Sequence, residues 1–194
     1  MDWPLGPLEA APSLDLLGPW GPEIAGLFTR PFLMMHRASE LYTARTCLLL
    51  LLDLGWEGRL RAGTSLDQLC QGLPDQARKP LAWMLPFLER EGLLHRTAET
   101  YTLSHEPDLD LGGIRRLMEA EAPGHAVNFD LLDGVRERIR PFFTEGRAGE
   151  GLLFDLTLFP LWLTYFRNEN LVYLPNNLLA LLALREQLPE GARV

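Results

Sequence analysis

The stretch from Gly63 to Ser104, GTSLDQLCQGLPDQARKPLAWMLPFLEREGLLHRTAETYTLS, leaves few ways to fold. Ser65 is suited to cap a helix, and Gln68 stands three residues on, where a capping box takes Glu or Gln. Leu66, Leu69, Cys70 and Leu73 then repeat at helical spacing. Pro74 and Asp75 interrupt them, as a helix–helix turn does. Leu81, Met84, Leu85 and Leu88 form a second apolar stripe, and Gly92 sits where that helix stops. Leu94 to Thr97 and Thr100 to Leu103 read as two short strands around Ala98-Glu99.

Helix, turn, helix and a two-stranded wing make a winged helix, a shape that often reads DNA, so charge is the first test. Between Ser65 and Ser104, Arg78, Lys79, Arg90 and Arg96 face Asp67, Asp75, Glu89, Glu91 and Glu99, a net of −1. A reader of DNA must neutralise phosphates with a basic face. The second helix instead offers Trp83, Leu85 and Phe87 beside its few charges, a surface expected to pack on protein. The whole chain carries −8, which disfavours nucleic acid and anionic membrane as partners.

Of the 194 residues, 47% are hydrophobic, enough to build a packed core over most of the length. Cys47 and Cys70 both fall inside apolar helical patterns and read as buried thiols in a reducing compartment. Residues 1–20 lack a basic start and are broken by Pro4, Pro7, Pro12 and Pro19, so no signal peptide is expected. The leucine run from Leu48 to Leu52 is too short to span a bilayer. A soluble, cytoplasmic protein is the expectation.

Residues 1–30 are rich in proline and glycine, yet Trp3, Leu5, Leu14 and Trp20 are too apolar for a free tail. An arm lying on a hydrophobic surface fits them. Pro31 suits a first helical turn. Ala38, Leu41, Leu48, Leu49 and Leu52 trace a helix to Leu54, which Gly55 ends, and His36 on this helix reads as structural or solvated. Glu106 to Gly113 is acidic and loop-like, with Asp108 and Asp110 solvated. Ile114, Leu117 and Met118 predict a short helix before Pro123-Gly124. Asn128 is expected to cap a longer one, whose apolar stripe is Leu132, Val135, Ile139 and Phe142 and whose solvated face carries Arg136, Glu137, Arg138 and Arg140. Pro141 tightens or ends it. Glu145 to Gly151 reads as a turn or loop.

From Leu152 to Phe166 the chain is dense in leucine and aromatics, which must bury against something: core, a dimer interface or a pocket wall. Asn168 to Asn177, NENLVYLPNN, concentrates amides and aromatics. Leu178, Leu181, Leu182 and Leu188 then line one face of a last helix. No phosphate loop, dinucleotide fingerprint, nucleophile elbow or calcium-loop spacing is present. His95 and His105 read as surface residues and His125 as a loop residue.

The succession of a long helix, LLDLGWEGRL, a capped helix, a second helix and a wing, over about residues 35–105, resembles the N-terminal domain of the S-adenosylmethionine-dependent small-molecule methyltransferases, best known from the O-methyltransferases. The closing residues LLALLALREQLPEGARV look like the run into the first strand of a class I methyltransferase domain. The resemblance implies a mainly helical chain with four parts: an N-terminal arm over 1–30 that wraps a partner subunit, a winged-helix domain over 31–106, a helical lid or linker over 107–190, and at 191–194 the start of a Rossmann-like methyltransferase domain. It implies a homodimer, that methyltransferase domain in cis, and a small-molecule acceptor. S-adenosylmethionine is expected in the longer protein, and its loop and the catalytic base belong to the domain this chain lacks, so the fragment alone is not expected to methylate. Tyr165, Asn168, Tyr173, Asn176 and Asn177 are the candidate substrate-binding residues, because aromatics and amides near a domain junction can hold a planar, neutral acceptor. No catalytic residue and no metal ligand is expected in this chain. A winged-helix transcriptional regulator and a non-catalytic methyltransferase-derived adaptor of a larger synthase are the alternative readings.

Overall fold

The computed structural model describes residue 18 and residues 20–188. Most of the expected N-terminal arm and the expected strand start at 191–194 lie outside the described residues. The protein is mainly helical, with one two-stranded antiparallel sheet, as the sequence predicts. After the short α1 (Gly21–Ala25) comes α2 (Arg30–Asp53), which organises everything else. Its start is fixed by Thr29, whose hydroxyl accepts from the Phe32 amide, and by Pro31 in the first turn. Its 24 residues span about 36 Å at 1.5 Å per residue.

Two separate cores form along α2. Ala44, Leu48, Leu50 and Leu51 from its second half pack with residues from the segments that follow directly: α3 (Glu57–Ala62), α4 (Leu66–Cys70), α5 (Arg78–Arg90), β1 (Leu94–Thr97) and β2 (Thr100–Leu103). Leu60, Leu69, Leu81, Leu85, Leu88 and Leu94 are the heart of this core. The expected capping box is present: Gln68 N donates to Ser65 Oγ at 3.2 Å, and Ser65 N donates to Gln68 Oε1 at 2.8 Å. Gly92, at φ +71°, ends the turn after α5. The hairpin pairs Leu94 with Leu103 and Thr97 with Thr100, leaving Ala98-Glu99 as the loop. Thr64 bridges to Tyr101, adding one residue on the far side of β2. One expectation fails here. Leu85 and Phe87 are buried, not displayed: Leu85 lies one turn beyond Leu81 on the core face, and of the three only Trp83, 56% exposed, faces outward.

The first half of α2 serves a second core. Met34, Met35, Ala38 and Tyr42 pack with Ile114, Met118 and Phe129 from α6 (Leu111–Glu121) and α7 (Val127–Arg138). A polar clasp reinforces it. Tyr42 donates to the Asp133 carboxylate at 2.8 Å, while Arg115 bonds the Tyr42 hydroxyl, Asp130 and Asp133. Asp108 and Asp110 do more than face solvent: Asp110 caps α6 by accepting from Gly113 N at 2.8 Å, and Arg45 of α2 grips both Asp108 and the Asp110 carbonyl. Asn128 does not cap α7. It stands inside the first turn, buried, because its amide is needed elsewhere. The buried residues of α7 are likewise Phe129, Leu131 and Gly134 rather than the predicted stripe. Gly134 matters for space: a Cβ there would come within 2.4 Å of Leu158. The helix breaks at Ile139, and α8 (Arg140–Glu145) restarts around Pro141, which has no N–H to continue the ladder.

The last part holds α9 (Gly149–Leu153), α10 (Phe159–Tyr165) and α11 (Leu174–Gln187). The segment from Glu145 to Gly151, expected as a turn or loop, turns at Gly146 but already starts α9 at Gly149. Within the described residues the dense apolar run is mostly uncovered, Leu158 against α7 being the buried exception. No residue of α10 is buried, Leu156 is 93% exposed, and of the predicted stripe on α11 only Leu182 is covered, with Leu181 62% exposed. The leucines of α11 occupy most of its circumference, so one neighbour can cover only part of it.

Candidate functional site

The aromatic and amide residues after α9 come together as one cluster. The Tyr165 and Tyr173 rings are 5.3 Å apart, Phe166 meets Tyr173 at 4.9 Å, and Trp162 packs on Phe154 at 5.2 Å. The Tyr165 hydroxyl is pushed up from its ordinary pKa, first by burial and then by Tyr173. Asn177 Nδ2 donates to the Phe166 carbonyl and to Asn168 Oδ1, both at 2.8 Å. Asn176 stands exposed in the first turn of α11, apart from these bonds. Four of the five residues expected to bind substrate therefore adjoin one another, but Asn168 and Asn177 spend their amides on holding the loop.

The residue that builds this loop is Asn170, which the sequence reading did not single out. It is buried, donates to the Tyr165 carbonyl at 2.7 Å and accepts from Val172 N at 3.1 Å. It also exchanges side-chain hydrogen bonds with Asn128 in both directions, at 3.1 and 3.2 Å. That reciprocal pair anchors the aromatic cluster to α7.

A concave feature lies between α2 and α5. Its cavity of about 630 Å³ is lined on one side by His36, Ser39, Glu40 and Thr43 and on the other by Trp83, Pro86, Phe87 and Arg90. Both sets follow the spacing of one helix face. Val172, next in the chain to the amide loop, closes it. Trp83 stacks on Phe87 at 5.1 Å, and the Arg90 guanidinium lies 5.0 Å over the Phe87 ring. His36 is not a free surface group. Its ring packs on Phe32 at 4.3 Å, burial lowers its pKa, and the Leu171 carbonyl and Glu40 only partly oppose that, so the imidazole is neutral at neutral pH. His36 Nε2 and Ser39 Oγ are buried without a hydrogen-bond partner. The signal was present in the sequence as four polar residues at the spacing of one helix face.

A smaller cavity of about 250 Å³ between α6 and α7 has His125, Arg115 and Phe129 in its wall, but Arg115 is committed to Asp130, Asp133 and Tyr42. Burial lowers the Arg115 pKa, and those three hydrogen bonds more than reverse it, so the guanidinium stays charged. Cys47, half-buried beside the first core, has its thiol pushed up to about 12 by burial, and Cys70 is raised less.

Among the described residues, no group of three or more His, Cys, Asp or Glu side chains could hold a metal ion, and no helix is long and apolar enough to cross a membrane. No family model matches the chain, and neither a curated protein nor a solved structure matches it.

Proposed function

We propose that this chain is the helical dimerisation and substrate-lid region of a S-adenosylmethionine-dependent small-molecule methyltransferase, with the catalytic domain joined to its C-terminal side. The observation that carries this reading is the apolar surface of residues 154–188. Phe154, Leu156, Phe159, Leu163, Phe166, Leu181, Leu184 and Leu188 are all large and exposed there, against Trp83 alone elsewhere in the described residues. So much apolar surface in one region marks contact with another protein body. A net charge of −8 fits a protein neighbour better than a polyanion. In this role the region adds no reacting group. It holds the acceptor and keeps water out while the neighbouring domain does the chemistry.

The test is calorimetric titration of S-adenosylmethionine into this chain and into a version lengthened past Val194 along its coding sequence. Binding by the longer protein alone is expected. A longer protein that ignores S-adenosylmethionine overturns the proposal, as does duplex DNA binding by this chain that weakens steeply with salt.

A further inference from the structure

The groove between α2 and α5 leaves an apolar platform uncovered. Trp83 is 56% exposed, the one large apolar side chain so open among the described residues outside 154–188. It stacks on Phe87 at 5.1 Å, and Pro86 stands beside it in the groove wall. An aromatic face at the edge of a groove is a seat for a proline ring, and proline-rich segments use such seats because their extended conformation is already formed. The charge of this wall is positive. The carboxylate nearest Arg90 is Glu91, at 3.5 Å, and Arg37 already holds Glu91 at 2.8 Å. Glu40 across the groove is matched by Arg37 at 3.2 Å. Lys79, one turn before Trp83, is exposed and has no ion pair among the described residues. The wall suits an occupant that is apolar, rich in proline and acidic.

The chain carries such a segment outside the described residues. Residues 1–17 contain Pro4, Pro7 and Pro12, the apolar Trp3, Leu5 and Leu8, and the acids Asp2, Glu9 and Asp15, with no Lys or Arg. The segment is also attached at the right end. The Arg37–Glu91 ion pair sets the C-terminal end of α5 beside the first half of α2. His36 and Arg90 therefore mark the end of the groove nearest to where the chain enters α2. The rings of Phe28, Phe32 and His36 follow one another from that entry to the groove, 5.4 and 4.3 Å apart. Arg30 to His36 is about 9 Å of helix, and the nine steps from Gly18 back to Glu9 reach up to about 30 Å. A chain running back from Gly18 along the groove meets Arg90 first and Trp83 second. Read in the same direction, the sequence presents Glu9 first and Pro7 second.

We propose that residues 3–12 of the same chain, WPLGPLEAAP, lie in the α2–α5 groove, with Pro7 on Trp83 and Glu9 at Arg90. The short tether holds the segment at a high effective concentration, so modest contacts suffice to fill the groove. The assignment goes beyond the methyltransferase reading and does not rest on it. It gives the segment to its own chain, whereas the resemblance gives the arm to a partner subunit.

The experiment is photo-cross-linking of the full chain carrying p-benzoylphenylalanine in place of Leu5, in dilute solution, as an equal mixture of 14N- and 15N-labelled protein. Mass spectrometry of the digested product is expected to find the cross-link on residues 36–43 or 83–90, with both halves carrying the same label. Trp83→Ala, an exposed position that leaves the core intact, is expected to lower that yield about fivefold. Glu9→Lys is expected to lower it about threefold, and adding Arg90→Glu to restore it. Cross-links that fall mainly elsewhere, or none, overturn the proposal. Halves with different labels overturn it too, because a second copy then fills the groove. A yield unchanged in both Trp83→Ala and Glu9→Lys likewise overturns it.

Discussion

Asn128 and Asn170 are 42 positions apart and exchange two hydrogen bonds in a buried setting. Removing one amide leaves the other unpaired, which costs about 1–3 kcal/mol. Asn170→Ala is therefore expected to lower the stability measured by urea unfolding by that amount, with Asn128→Ala adding little once Asn170 is gone; a fully additive pair would show that the bonds are not shared. Tyr42 makes a prediction in pH. Burial foremost, with Asp133, pushes its hydroxyl up to about 12 against the pull of Arg115. Because the unfolded chain ionises this tyrosine near 10, the stabilisation is complete below about pH 10 and drains away as pH rises toward about 12. A phenolate absorbance titration should show a late step near pH 12, and Tyr42→Phe should remove it. These residues show what a sequence withholds. The polarity of Asn128 and its place near a helix start were legible, and a cap was the local inference; the partner that claims its side chain is remote in the chain, so no local pattern contains it.

The elements read best where their signals are local. The capping box of α4, the glycine after α5 and both strand spans follow from neighbours a few residues apart, and the structure has them where the sequence places them. The hairpin loop hides one strain. Ala98 takes φ +52° while Glu99 does not, the φ pattern of a type II′ turn, whose first central position ordinarily belongs to glycine. Ala98→Gly should relieve about 1 kcal/mol, read as a higher thermal midpoint with an unchanged circular dichroism spectrum; a lower midpoint would show that the turn does not strain the alanine. The stripe on α7 was less legible. Apolar spacing named a face, but Asn128 and Gly134 are also buried, one for a hydrogen bond and one for the close approach of Leu158. Neither reason is hydrophobic, and periodicity registers only hydrophobicity. The stripe His36, Ser39, Glu40 and Thr43 was legible as spacing, yet its meaning depends on α5 lying opposite.

Across the whole molecule, α2 joins two cores that use different parts of one helix, so the expected boundary near residue 107 separates segments of sequence that share a common spine. Mainly helical architecture with one small sheet was readable from length, pattern and turns. What covers the leucines and aromatics of residues 154–188 was not, since a pattern can name an apolar face without naming its neighbour. The central claim is that this face is built to meet protein. Sedimentation velocity of the wild-type chain and of a Leu163→Glu, Leu181→Glu double variant, over a wide concentration range, tests it most directly. Both leucines are exposed, so the substitutions leave the cores intact. The account predicts that the wild-type chain associates as concentration rises and that the variant stays monomeric with unchanged helicity. A wild-type chain that remains monomeric throughout, or a variant that associates as strongly, would contradict it.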